Sequence, residues 1–448
     1  MYPVPHPVPS YWLSEPHKLH DVRSTPDLPP RTDVLIIGSG MAGIMTAYHF
    51  LEGSSSPNSE SPSVVLLEAR ELCSGATARN GGHCKIKTNT LAGLIGSRNL
   101  EDIDELQAYV MGVMDDIKHI VEKEELDCQL ELRRSFDVQT DAEDSKRLKK
   151  LFDDSRAKGA RWTKDTSFID ERYAEQITSI KGATSAFSVP ACSFWPYKFA
   201  TLLVERLLER YPGKLNVQTN TLVKSVKQQE NGTNLVTTAR GDIAAAKVVF
   251  ATNAYTAGLL PQFENVIVPV RGMATHIVPS KPVRPHLTQT YNIDFGADKG
   301  VDYLNPRPDG SIVVGGGGWH FKSDCKSWFN NFDDSARFSD DVEQHWKGYM
   351  QRTFHGWDDS NAVSDATWVG IMGNTPDGWS HVGRVPGTKS QWILAGFNGG
   401  GMALIFTAAK AVAKMVREDC DFAQVRKEFG IPALFGTSTE RLEKGFGE

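Results

Sequence analysis

No stretch of this 448-residue chain approaches the ~20 consecutive apolar residues needed to span a bilayer, so no membrane-spanning helix is expected. Cysteine is scarce: Cys73, Cys84, Cys128, Cys192, Cys325 and Cys420 are the only six and share no repeated spacing, which excludes a disulfide framework and a thiolate metal cage and predicts free thiols in a reducing compartment. Lys/Arg blocks are missing and the net charge is −6, so nothing electrostatic points to nucleic acid. The Pro-rich start, Tyr2-Pro3-Val4-Pro5-His6-Pro7-Val8-Pro9, lacks the charged-then-apolar order of a secretion signal. The end, Gly445-Phe446-Gly447-Glu448, lacks a Ser-Lys-Leu address. A cytoplasmic protein is the expectation, with no membrane or nucleic-acid partner. Asn231-Gly232-Thr233 matches a glycosylation sequon but reads better as a hairpin turn.

Glycine is placed where it can do chemistry. Val34-Leu35-Ile36-Ile37 runs into Gly38-Ser39-Gly40-Met41-Ala42-Gly43, and a second aliphatic run, Val64 to Leu67, ends in Glu68. This order is that of a dinucleotide grip. Gly38 allows a tight strand-to-helix turn, Gly40 lets a pyrophosphate reach the backbone, Gly43 lets helix and strand pack closely, and the helix N-terminus offers free N–H groups. Glu68, followed by Ala69 and Arg70, stands where a carboxylate would accept hydrogen bonds from ribose hydroxyls. A second glycine segment, Gly396-Phe397-Asn398-Gly399-Gly400-Gly401-Met402, precedes an Ala-rich helix expected to start near Met402. Its positive end suits the anionic edge of a reduced flavin. Two such contacts far apart in sequence suggest FAD lying extended across the fold.

With these segments in view, the chain resembles the D-amino-acid oxidase and sarcosine oxidase family of flavoenzymes, nearest its gamma-glutamylputrescine oxidase-like branch. The resemblance covers most of the chain. It rests also on Gly75-Ala76-Thr77-Ala78-Arg79-Asn80-Gly81-Gly82-His83, on Val248 to Tyr255 (with Ala251, Thr252 and Asn253), on Pro269-Val270-Arg271-Gly272 and on Trp368 to Gly378. It implies an α/β fold: a Rossmann-like FAD-binding domain of glutathione-reductase type, interleaved with an α+β substrate domain built on an antiparallel sheet. It also implies FAD as cofactor, a backbone contact from Val223 to adenine, and isoalloxazine lining by the Arg79 to His83 segment. Arg79 reads either as a cation beside the diphosphate or ring or as a structural ion-pair partner. His83 reads either as a substrate-facing aid to catalysis or as a core histidine.

Element order predicts an extended arm over 1–30, FAD-binding segments at 31–95, 196–260 and 360–448, and a substrate domain from 96–195 and 261–359. Apolar periodicity predicts helices over Glu101–Glu125, Ala142–Lys158 and Tyr197–Arg210. A hairpin is expected from Leu222–Gln229 and Asn234–Arg240 about Asn231-Gly232, and a return strand over Val248–Thr252. Val266–Val278, Asp302–Leu304 and Ser311–Gly316 read as roof strands, with a tight turn at Asp309-Gly310 and a surface loop over Gly53–Ser63.

Departures from the family pattern bear on substrate. Where relatives oxidising free amino acids carry a carboxylate-clamping arginine, this chain has Met372; where others have a lysine, it has Ala403; where a cysteine ties the flavin, it has Gly370. The expectation is non-covalent FAD and a small-molecule amine without an α-carboxylate, oxidised by hydride transfer to flavin N5 with imine hydrolysis, and with O2 as acceptor giving H2O2. Arg271 or Arg307 could supply a replacement clamp, and His83 and Arg271 are the catalytic candidates. Trp195, Tyr303, Trp319 and Met372 are the pocket candidates, with Phe194, Tyr197 and Trp368 as further aromatic wall or ordinary core. No metal site is expected, and the oligomer is a monomer or small homo-oligomer. Alternatives are an amino-acid oxidase or dehydrogenase, a tailoring oxidase of a nitrogen-containing natural product, and a non-catalytic flavoprotein.

Overall fold

The computed structural model describes residues 1–54, 62–284 and 286–447. The middle of the expected Gly53–Ser63 loop lies outside the described residues. Two sheets organise the chain. In the first, Arg31–Ile37 lies parallel between Val64–Leu67 and Gly241–Phe250, with Ile36 opposite Leu66 on one side and Val249 on the other. Where they are buried, over Val34–Ile37, Val64–Leu67 and Val248–Phe250, these strands are continuous apolar runs rather than alternating ones. Leu215–Gln218 and Gln391–Ala395 extend the parallel order; His381–Arg384 and the hairpin Val223–Gln228/Asn234–Thr238 add antiparallel strands. The hairpin turns at Asn231-Gly232: Gly232 adopts φ +85°, and Asn231 Oδ1 accepts from Thr233 N.

The second sheet runs, edge to edge, Val363–Asn374, Val268–Val278, Ile312–Gly316, Val301–Pro306, Thr290–Asp294, Glu131–Gln139, Ser185–Ser193, His83–Cys84. It is antiparallel except where Thr290–Asp294 lies parallel to Glu131–Gln139. Val363–Asn374 pairs along the whole of Val268–Val278, so the chain rejoins the first sheet only at His381. His83–Cys84 also belongs to this second sheet, although the sequence assigns both segments to the nucleotide domain.

Capping chemistry sets the helix ends. Leu100–Glu124 starts where Asn99 accepts from Asp102 N and stops where Glu125 turns left-handed; Ala142–Ala157 starts where Asp141 accepts from Asp144 N; Pro196–Arg210 has proline at its first position. Met41–Ser54 begins three residues after Gly38. A Cβ at Gly43 would sit 1.9 Å from the Gly38 carbonyl oxygen, so helix and turn touch only because that position is glycine.

The N-terminal arm is laid over the body and pinned by specific bonds. Trp12 is fully buried and donates to Asn80 O at 2.6 Å; Trp195 donates to Trp12 O at 2.8 Å; Ser10 donates to Ala78 O at 2.5 Å. No helix among the described residues is long and apolar enough to cross a membrane.

Candidate functional site: a cavity between the two sheets

A cavity of about 740 Å³ opens between the carboxyl ends of the first sheet's strands and the inner face of the second. Ligands bind at this edge of a doubly wound sheet because strand-to-helix turns expose backbone amides there. Ile37, Gly38, Leu67, Glu68 and Ala251 form its floor, and Asn292, Tyr303, Gly316, Gly370 and Met372 its roof.

Most of the residues that the sequence assigns to the cofactor lie on this wall: Gly38, Gly40, Met41, Ala42, Glu68, Ala69, Arg70, Gly75, Ala76, Thr77, Arg79, Asn80, Gly81, His83, Val223, Ala251, Thr252, Asn253, Gly370, Asn398, Gly399, Gly400, Gly401 and Met402. Ser39, Gly43 and Gly82 stand behind it. Ser39 donates to Glu68 Oε2 from its amide at 2.9 Å and its hydroxyl at 2.8 Å, fixing the carboxylate at the strand tip, and Arg70 N holds Oε1 at 3.0 Å. Gly82, at φ +67°, lets the chain pass under Trp12. Gly38, at φ +105°, brings its backbone against Ala251, whose carbonyl oxygen would lie 2.6 Å from any Cβ.

Gly40 differs from Gly38 and Gly43. A Cβ there would meet only Thr77 Oγ1, at an ordinary 3.4 Å. Packing within the protein therefore does not require glycine at Gly40; an object in the cavity would. Thr77 Oγ1 accepts from Met41 N at 2.9 Å, capping the helix that points at this space.

Arg79 is a structural ion-pair partner that also lines the cavity. Nη1 donates to Val8 O (2.8 Å) and Val369 O (2.9 Å), Nε donates to Ser74 O (3.1 Å) and lies 3.6 Å from Asp334, yet the buried Nη2 has no partner. Burial pulls its pKa down to about 10, against the opposing pull of Asp334, so it stays cationic at neutral pH. Arg70 reaches the same Asp334 carboxylate at 2.9 and 3.1 Å and also donates to Val4 O. One aspartate thus ties two arginines, the arm and the cavity floor together.

His83 lines the cavity with its ring 5.6 Å from that of Tyr303, and its buried Nδ1 has no partner. Burial, reinforced by Lys85, Lys87 and Arg133, holds its pKa well below the usual histidine value, leaving a neutral imidazole of weak basicity. Tyr303, Trp319 and Met372 are on the wall.

Other expectations are corrected. Trp195 is not on the wall: it packs under the arm against Tyr11 and Trp12. Phe194, Tyr197 and Trp368 take the second of their two expected readings, fully buried core, with Trp368 donating to Arg79 O. Arg271 lines the cavity; its Nη1 and Nη2 donate to Ser327 O (2.9 Å) and Ala336 O (2.6 Å) over the Phe338 ring, while its buried Nε has no partner. Arg307 is buried against Trp12 and Gln129 and is off the wall. The terminal glycines lead first into a 3-10 turn, Gly401–Ala403, and the regular helix starts at Ile405 rather than near Met402.

The sequence reading missed Lys85, Lys87 and Asn292, all on the wall. The signal was the continuation of the His83 segment as Lys85-Ile86-Lys87, two cations one residue apart directly after a cofactor motif. Among the described residues no group of three His, Cys, Asp or Glu side chains could hold a metal.

The sequence pattern of the FAD dependent oxidoreductase family, DAO, matches residues 33–415. The chain belongs to this family. Its cofactor is FAD, and the wall fits that group: a cradle at Gly40 that a Cβ would fill, a carboxylate fixed at a strand tip and a buried guanidinium N–H without a partner. A glycine oxidase of Pseudomonas aeruginosa is 25% identical over 183 residues, 40% of this chain and 44% of that relative, so the match spans less than half of its length. Among solved structures, glycine oxidase from Geobacillus kaustophilus superposes with a TM-score of 0.68 at 18% identity, covering 87% of this chain and 95% of that one. L-proline dehydrogenase from P. horikoshii gives 0.68 at 19%, covering 90% and 98%. These two likenesses establish the shared fold.

Proposed function

We propose that this chain oxidises a carbon–nitrogen bond of a small amine that presents no α-carboxylate, with O2 as the acceptor and peroxide as the reduced product. FAD, when bound, supplies a two-electron acceptor for hydride leaving the carbon beside nitrogen. The names of the relatives, glycine oxidase and proline dehydrogenase, support the bond type. The observation that carries the substrate reading is the pair Met372 and Ala403. Both lie on the cavity wall, where the family resemblance expects a cation. The Met372 thioether lies over Gly272 and Gly399, 3.0 and 3.2 Å from where their Cβ atoms would be, and fills that corner with apolar volume.

The chain's own residues would position and dry the substrate. Tyr303, pressed against Gly81 and Gly315, walls the roof side with an aromatic ring. His83, being neutral and weakly basic, serves as wall rather than proton store. An alkyl amine, with a pKa near ~10, then enters neutral or gives its proton to water. The imine formed is hydrolysed to a carbonyl. No cysteine is on the wall, so the flavin would be held without a thioether link.

Met372→Arg tests the reading. The wild type should release peroxide with alkylamines and little with glycine or proline; the arginine variant, adding a charge-assisted fork for a carboxylate, should gain at least ~10-fold in kcat/KM for the amino acids. A wild type that turns over glycine as well as any amine would overturn it.

A further inference from the structure

At the roof's other side, far from Met372, two polar groups on the wall have nothing to bind. Lys87 is half-buried, and among the described residues no hydrogen bond or ion pair reaches its ammonium. The two anions that act on it, Asp137 and Asp294, are already engaged. Asp137 accepts from Lys85 Nζ (3.0 Å), Asn292 Nδ2 (3.1 Å) and Thr88 N (2.7 Å). Asp294 accepts from Asn89 Nδ2 (2.6 Å) and Gly296 N (3.0 Å). Asn292 is 3% exposed, and its Oδ1 is buried with no partner. The amide's orientation is fixed by chemistry: the atom facing the Asp137 carboxylate must be the NH2, so the free atom is the carbonyl oxygen.

An unpaired ammonium and an unpaired carbonyl in one cavity wall each cost free energy unless a ligand completes them. Four strand spacings separate the Met372 strand from that of Asn292, about 19 Å at the usual ~4.8 Å per strand, so Asn292 is remote from the Met372 position. We propose that Lys87 is a specificity residue that receives a carboxylate at the end of the substrate distal to the oxidised C–N bond, with Asn292 Oδ1 accepting an adjacent N–H or O–H. The proposal rests on the amine reading above and extends it from amine to anionic, elongated amine.

The test uses the holoenzyme and a dead-end probe, pentanoate, followed by perturbation of the flavin absorbance and by equilibrium dialysis. Wild type should bind it, Lys87→Met and Lys87→Gln should bind it about 10- to 100-fold more weakly, as loss of a charge-assisted bond predicts, and Lys87→Arg should recover most of the affinity. In turnover, the ratio of kcat/KM for ω-aminocarboxylates over alkylamines of equal length should fall by the same factor in Lys87→Met. Equal pentanoate binding by wild type and both neutral variants, or no binding by the wild type, overturns the proposal. If glycine rather than the ω-amino acids shows the Lys87 dependence, the carboxylate is α and the distal assignment fails. Should no amine be oxidised by any variant, the amine reading fails, and the pentanoate titration still decides the site.

Discussion

Gly40→Val should yield a folded, colourless protein. The three glycines of the first turn answer to different constraints, and that makes the outcome diagnostic. A Cβ at Gly43 would overlap the Gly38 carbonyl oxygen at 1.9 Å, and one at Gly38 would press on the Ala251 carbonyl at 2.6 Å with φ at +105°. Both clashes are with backbone, so alanine at either position damages the fold itself. At Gly40 the nearest atom is a threonine hydroxyl at 3.4 Å. The side chain is therefore tolerated by the polypeptide and occupies the volume that a pyrophosphate would need. Overpacking costs about 1–3 kcal/mol where neighbours can yield, and a phosphate held by fixed helix amides yields little, so FAD affinity should fall on the order of 100-fold. Far-ultraviolet circular dichroism, melting temperature of the apoprotein and flavin content together read the result. A yellow Gly40→Val would mean that bound FAD leaves room for a side chain at this position, against the role assigned to Gly40.

Asp334→Ala should be strongly destabilising. Asp334 is 1% exposed and faces two arginines, Arg70 at 2.9 Å and Arg79 at 3.6 Å, both buried. Removing the shared anion leaves two cations in a poorly solvated place, and breaking a buried pair in this way costs about 3–5 kcal/mol. The backbone carbonyl of Asp334 also accepts from Val8 N at 2.7 Å, while Arg79 and Arg70 hold Val8 O and Val4 O. Loss of the carboxylate should therefore loosen the arm as well, and limited proteolysis should cut near the N-terminus before the rest of the chain. A melting temperature within one degree of wild type would contradict this account of the cluster.

The nucleotide half of the fold was legible because its signals are local. Aliphatic strands, a glycine turn and a capped helix follow one another within about twenty residues of chain, the span of a single strand–turn–helix unit. The hairpin at Asn231-Gly232 was legible from its turn residues, and the helices from Leu100 and Ala142 from their apolar periodicity. The roof was only partly so. Ser185–Ser193 carries Pro190 in its interior and Glu131–Gln139 carries Arg133 and Arg134, and neither alternates cleanly, since the partners that bury them come from distant sequence. The long Val363–Asn374 strand was hidden by its family motif and by Gly370 and Gly373, which suit a turn as well as a strand. In the site, Arg271 looked like a free cation in sequence. Only the fold reveals Ser327 and Ala336, some sixty residues on, as its partners. Lys87 has the opposite history: its place after the His83 segment marked only a cation, and its significance comes from the anions around it being already paired by Lys85, Asn89 and Asn292.

An anaerobic titration of the purified flavoprotein with alkylamines, ω-amino acids and α-amino acids, following the oxidised-flavin band near ~450 nm expected of this cofactor, decides the substrate class. Amines that carry no α-carboxylate should bleach the flavin, most strongly those with a distal carboxylate, and glycine or proline should do so little or not at all. Bleaching by α-amino acids alone, or by no amine at all, would contradict the amine reading.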